Sequence, residues 1–168
     1  MVSQEVRQHL VSALILSRID YCNFIFVGLP DVTLAPLRRV MNTAMCSVAG
    51  LGPRDHVTAE WRDLHWLPIE QRITYKLCIM MHAINNGTAP KYICDLATPV
   101  NEIRGRSHLR SATLGHFNIP RTRTRLGSRA FSVAVQTAWN NLTASIRSLK
   151  STDSFKRQLK THLFRLAY

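Results

Sequence analysis

Acidic residues are scarce in this chain. Its 168 residues carry 10 Asp and Glu against 22 Lys and Arg, a formal net charge of +12. No Asp-Asp, Asp-x-Asp or Glu-Asp pair occurs, so the adjacent carboxylates that polymerase-type two-metal chemistry needs are missing. There is no Gly-x-Ser-x-Gly elbow and no phosphate-cradling glycine loop. The four cysteines, Cys22, Cys46, Cys78 and Cys94, are far apart and form no Cys-x-x-Cys, a poor pattern for zinc. They read as free, mostly buried thiols in a reducing compartment, cytoplasmic or nuclear. The most apolar run, Leu10 to Val27, is interrupted by Arg18, Asp20 and Asn23, which argues against a membrane span. Neither a basic n-region nor a small-residue cleavage site frames a signal peptide at the start. His56, His65 and His82 have no nucleophile placed beside them in sequence, and a lone His in a helical domain is expected to serve as a structural hydrogen-bonder. The expectation is a chain that is not an enzyme, with no catalytic residue, no metal site and no cofactor.

What is present is enough apolar residue, 46%, for a hydrophobic core in a chain of this length. Apolar spacing predicts a first helix from about Ser3 to Phe26. Its expected stripe is Val6, Leu10, Leu14 and Cys22, with Ile15, Ile19 and Phe26 beside it. Gly28-Leu29-Pro30 stops it. Asp31 is expected to cap a second helix running to about Ala49, carrying Leu34, Leu37, Met41, Ala44, Met45 and Val48. Thr58 is expected to cap a short third helix through Leu64. A fourth opens at Pro68 and carries Ile69, Ile73, Leu77, Met80, Met81 and Ile84, with Asn85-Asn86-Gly87 as its stop. A short helix follows over Pro90 to Leu96. Periodicity then fades from Pro99 to Ser128, where Leu114 to Pro120 and Thr122 to Leu126 alternate loosely enough for a small β-hairpin. Helical signal returns over Arg129 to Leu142. The last helix begins near Thr152 or Asp153, with Phe155, Leu159, Leu163 and Leu166 on one face. Trp61, Trp66 and Trp139 read as core packing. The fold class is thus mainly α, a bundle-like helical domain. An N-terminal helical part covers 1–98, an irregular Arg-rich connector 99–128, and a C-terminal helical part 129–168, together as one domain.

The connector carries the strongest signal for a partner. Arg104, Arg106, Arg110, Arg121, Arg123, Arg125 and Arg129 fall in one stretch, with His108 and His116 among them and no acid between its ends. Seven guanidinium groups without local carboxylates point to the phosphate backbone of RNA or DNA, since the guanidinium fork matches phosphate oxygens. In a strand, Arg121, Arg123 and Arg125 would share one face, and Phe117 could stack on a base. A solvated basic loop is the plainer alternative.

Several phrases along the chain also form an ordered set. They are Leu16-Ser17-Arg18-Ile19-Asp20-Tyr21-Cys22-Asn23, Gly28-Leu29-Pro30, Pro36-Leu37-Arg38-Arg39-Val40-Met41-Asn42, and Leu64-His65-Trp66-Leu67-Pro68-Ile69. Arg72-Ile73, Tyr75-Lys76, Ala89-Pro90-x-Tyr92, Ala130-Phe131-Ser132-Val133-Ala134 and Trp139-Asn140-Asn141-Leu142 follow. Ser145-Ile146-Arg147 and the run from Phe155 to Phe164 close the set. In this order they resemble the C-terminal region of LINE-type, non-LTR retrotransposon polyproteins of the Jockey, Rex and chicken-repeat group, over nearly the whole chain. The resemblance implies descent from an RNA-directed DNA polymerase, a reverse transcriptase, whose aromatic-Ala-Asp-Asp motif lies upstream of the matching region. No catalytic residue carries over. A helical tail that helps hold template RNA or target DNA is implied, with the upstream reverse transcriptase domain of the parent polyprotein as a second partner. The chain departs from the family at Val40 to Cys46, where Gln- and Ala-rich residues are common, and at Leu142-Thr143, where Leu-Pro usually follows the Trp-Asn pair. Two alternatives stand beside the nucleic-acid module. One is a protein-interaction domain, which an exposed apolar face on the first two helices would favour. The other is a translated transposon remnant without selected function.

Overall fold

The computed structural model describes residues 2–52, 54–106 and 108–168, and the chain is mainly α. Its helices are α1 (Gln4–Val11), α2 (Ser17–Asp20), α3 (Asp31–Ala49), α4 (Thr58–Asp63), α5 (Ile69–Asn85), α6 (Lys91–Cys94), α7 (Arg110–Thr113), α8 (Arg125–Ser128), α9 (Phe131–Asn140), α10 (Ala144–Arg147) and α11 (Thr152–Ala167). Two compact units emerge, one of residues 1–73 with 163–168 and one of residues 74–162, and their boundaries fall inside α5 and α11. Among the described residues, no helix is long and apolar enough to cross a membrane.

In the first unit α1 packs on α3. A single π-helical turn, Ser12–Leu16, joins α1 to α2, and the Ser17 N–H bonds back five residues to the Ser12 carbonyl. The turn resets the phase of the helix. Val11 and Leu16, five residues apart, are both buried, and Ile19 follows them. The expected core stripe is therefore wrong: Val6, Leu10 and Leu14 are 47%, 51% and 66% exposed. The chain holds two apolar stripes here, and α3 covers the other one. Nor does this helix reach Phe26. Cys22 adopts a left-handed φ of 52°, and Asn23–Phe26 forms a 3-10 turn. Helix α3 buries Leu34, Met41, Ala44, Met45 and Val48, each large side chain contributing about 1.5–3 kcal/mol relative to exposure. Asp31 is not its cap. It lies in the first helical turn after Pro30, where its carboxylate accepts from Arg38 at 2.8 Å. Arg38 also donates to Glu70 at 2.6 Å. Thr58 is likewise the first helical residue of α4, and Val57 holds the cap position.

Ile69, Ile73, Leu77, Met81 and Ile84 of α5 are buried, as their spacing predicts. Gly87, at φ 68°, ends the helix. Its N–H bonds the Ile84 carbonyl while that of Thr88 reaches Ala83, the paired bonds of a left-handed C-terminal stop. In the second unit, His82 is a structural hydrogen-bonder: Nε2 donates to the Leu149 carbonyl at 2.9 Å, and the ring stacks on Phe155 at 4.1 Å. Asn86 donates to the Lys150 carbonyl at 3.1 Å. These bonds fix the turn that precedes α11. Phe155, Leu159 and Leu163 are buried on that helix, but Leu166, expected on the same face, is 66% exposed. Cys46 and Cys78 are buried and Cys22 and Cys94 half-buried, all as free thiols. Burial pushes the Cys78 thiol up to about 12, which leaves it protonated and inert at neutral pH.

The expected β-hairpin does not form among the described residues. Thr122 to Leu126 cannot supply its second strand, because the Thr124 hydroxyl accepts from the Gly127 N–H at 3.0 Å and starts α8. The first strand does find a partner, but a different one. Pro99 and Phe117 form a single antiparallel bridge, with Val100 N–H on the His116 carbonyl and Asn118 N–H on the Thr98 carbonyl.

Candidate nucleic-acid interface

Helix α9 holds the middle of the connector within the second unit. Val133, Ala134, Val135, Gln136 and Trp139 are buried on it. The Trp139 indole donates to the Gly115 carbonyl at 3.1 Å. The adjacent Asn140 amide serves both backbone groups of Phe117, accepting from its N–H at 3.0 Å and donating to its carbonyl at 2.8 Å. This side chain does for Phe117 what a neighbouring strand would do. Arg147 then closes the helix end, donating to the Asn140 and Leu142 carbonyls at 2.9 and 2.6 Å. A cation on the last carbonyls of a helix satisfies orphan acceptors and suits the dipole.

The pin divides the connector into two arms. The first, from Asn101 to Leu114, carries Arg104, Arg106 and Arg110. The second, from Ile119 to Arg129, carries Arg121, Arg123, Arg125 and Arg129. Every arginine of the set is exposed except Arg129, which is half-buried at the end of α8. Arg106 donates to Asn118 at 3.4 Å, a long bond. Among the described residues, none of Arg104, Arg106, Arg110, Arg121, Arg123 and Arg125 has a carboxylate partner. Arg121 and Arg123 lie in irregular backbone and Arg125 opens α8, so the shared strand face expected for these three is absent. Phe117 is not available to a base either. It is 5% exposed and packs edge-on against Trp139 at 6.4 Å. The contact that buries it comes from α9, a segment distant in sequence. Burial, and secondarily the Arg147 charge, lower the His116 pKa, so this imidazole is neutral at physiological pH and adds no cation to the arms. His108 is exposed.

The charge is divided unevenly between the units. Residues 74–162 hold 14 Lys and Arg against 3 Asp and Glu, a net +11. The first unit holds the remaining 8 against 7, a net +1. Among the described residues, no group of three or more His, Cys, Asp or Glu side chains is placed to hold a metal ion. Comparison with known proteins finds no matching family model, no matching curated protein and no matching solved structure.

Proposed function

We propose that this chain is a non-catalytic nucleic-acid-binding module, derived from the tail of a non-LTR retrotransposon reverse transcriptase, that takes RNA or DNA phosphates on its two arginine arms. The observation that carries the reading is the net charge of +11 on the second unit, with Arg104, Arg106, Arg110, Arg121, Arg123 and Arg125 exposed and, among the described residues, without a carboxylate partner. Such a surface raises the local concentration of polyanions and releases their counterions on binding. The nucleus or cytoplasm supplies both the nucleic acid and the reducing conditions that suit four free thiols. The upstream polymerase domain of a parent polyprotein is a proposed second partner.

The test is fluorescence anisotropy of labelled single-stranded RNA, single-stranded DNA and duplex across a salt series. On single strands, each neutralised phosphate contributes about 0.7 to the slope of log affinity against log salt. Changing Arg121, Arg123 and Arg125 together to Ala is expected to lower that slope by about 2, with circular dichroism unchanged. A folded chain that binds none of the three at low salt overturns the reading.

A second reading, a protein-interaction domain, draws on one specific observation. Val6 and Leu10, four residues apart on α1, are exposed on one side of that helix, and Leu14 in the π turn after it is exposed as well. Light scattering of Leu10→Lys against the parent chain tests it, and an unchanged oligomeric state would remove it.

A further inference from the structure

A second aromatic and cationic surface lies in the first unit, away from any residue assigned so far. Helix α4 ends at Asp63, and its C-terminal stop has the bonding of a glycine stop without the glycine. The His65 N–H bonds the Arg62 carbonyl and the Trp66 N–H bonds the Trp61 carbonyl. His65 occupies the left-handed position at φ 51°. That conformation costs an L residue roughly 1–2 kcal/mol and favours Gly. The ring is exposed, and Nδ1 donates to the Asp63 carbonyl at 3.2 Å, which orients it. It lies over Phe164, with centroids 5.2 Å apart and planes 18° from parallel. Phe164 in turn meets Tyr168 at 4.9 Å, and the Arg62 guanidinium stands over the Tyr168 ring at 5.3 Å. Arg165 lines the rim with Arg62 and Asp63, and the Arg62 guanidinium, while over the ring, also donates to the Tyr168 main-chain oxygen at 3.1 Å, which holds it at the shelf with N–H groups to spare. These residues line an open hollow of about 520 Å³, within the roughly 300–1,000 Å³ typical of small-ligand clefts.

We infer that this shelf takes one nucleotide of a single strand, its base stacked on the His65–Phe164 platform and its phosphate on Arg62 and Arg165. A flat ring with an adjacent anion matches both halves of the surface. Every base has a π face, so the contact is tolerant of sequence. Arginine beside the rings adds cation–π attraction and a phosphate fork. The inference rests on the nucleic-acid reading above and deepens it, from phosphate contact to base contact.

The test uses the full chain and a single-stranded 10-nucleotide RNA, compared with the same backbone made abasic. Stacking of one base predicts that the natural strand binds about tenfold more tightly than the abasic one. His65→Gly keeps the left-handed backbone while deleting the ring, so it is expected to fold and to bring that ratio close to one. Arg165→Glu, an exposed change, is expected to weaken both strands. The arms variant Arg121→Ala/Arg123→Ala/Arg125→Ala separates the two surfaces, since it should weaken both strands and leave the ratio intact. A ratio of one in the parent chain overturns the shelf while leaving the arms standing. A ratio that survives His65→Gly in a folded protein also overturns it. Binding that is insensitive to the arms variant, yet loses its base dependence in His65→Gly, keeps the shelf and removes the arms. No binding of either strand by the folded parent overturns both.

Discussion

The two units treat arginine in opposite ways. In the first, acids and bases nearly balance, and two arginines are used as fasteners. Arg38 joins Asp31 to Glu70, and Arg72 joins Asp20 at 2.7 Å to the Leu67 carbonyl at 2.8 Å. In the second, 14 cations share 3 acids. Among the described residues its buried arginine, Arg147, gives Nη1 to two backbone carbonyls and leaves Nε without a partner, and the exposed arginines of the connector have no carboxylate partner. A surplus of like charge repels itself and adds nothing to compaction. Stability in the second unit therefore comes from packing and from carbonyl-directed hydrogen bonds, and its surface charge is left over for something else.

The comparison breaks most readily at Trp139. Trp139→Ala is expected to cost about 3–5 kcal/mol in urea unfolding, from the lost volume and the freed Gly115 carbonyl. A loss below about 1 kcal/mol would mean that α9 does not pin the connector. In the first unit, Arg72→Met should cost about 1.5–3 kcal/mol, because a half-buried carboxylate and a carbonyl both lose a charged donor. A smaller effect follows from His116. Burial, then the Arg147 charge, depress its pKa in the folded chain, so as pH falls through about 6.5 the unfolded chain takes up the proton first. Stability attributable to this group is present above that pH and declines below it. His116→Gln should flatten the decline between pH 7 and 5, and a slope identical to the parent's removes the group from the account. Smallest of all, Arg104→Ala, Arg106→Ala and Arg110→Ala should each shift stability by no more than about 0.5 kcal/mol. A cost as large as that of Arg72→Met would show that these arginines are fasteners too, and the contrast between the units would dissolve.

Much of the helical framework is legible from local signals. Helices α3, α5 and α11 follow from apolar spacing, and the stop at Gly87 from its freedom to adopt positive φ. The connector's irregularity and its arginines are equally plain in the chain. What misleads is the first helix, where Val6-Leu10-Leu14 and Val11-Leu16-Ile19 are both apolar series. A π turn, invisible to a 3.6-residue period, turns the second series inward. Phe117 misleads for a related reason, since its neighbours are polar and its burial is supplied by Trp139. The Trp139-Asn140 pair stands out in sequence, yet its task of holding Gly115 and Phe117 does not. Nothing near His65 announces Phe164, because the two belong to segments far apart in the chain.

By itself, then, the sequence determined the helical class, the places where helices stop and the cationic surplus. These depend on spacing within a turn or two, on φ preferences and on the count of charged groups. Tertiary structure alone decided which apolar stripe is covered, where the acids are spent and which rings meet. Each of those depends on the partner that a distant segment brings, and burial and charge pairing are properties of the two together.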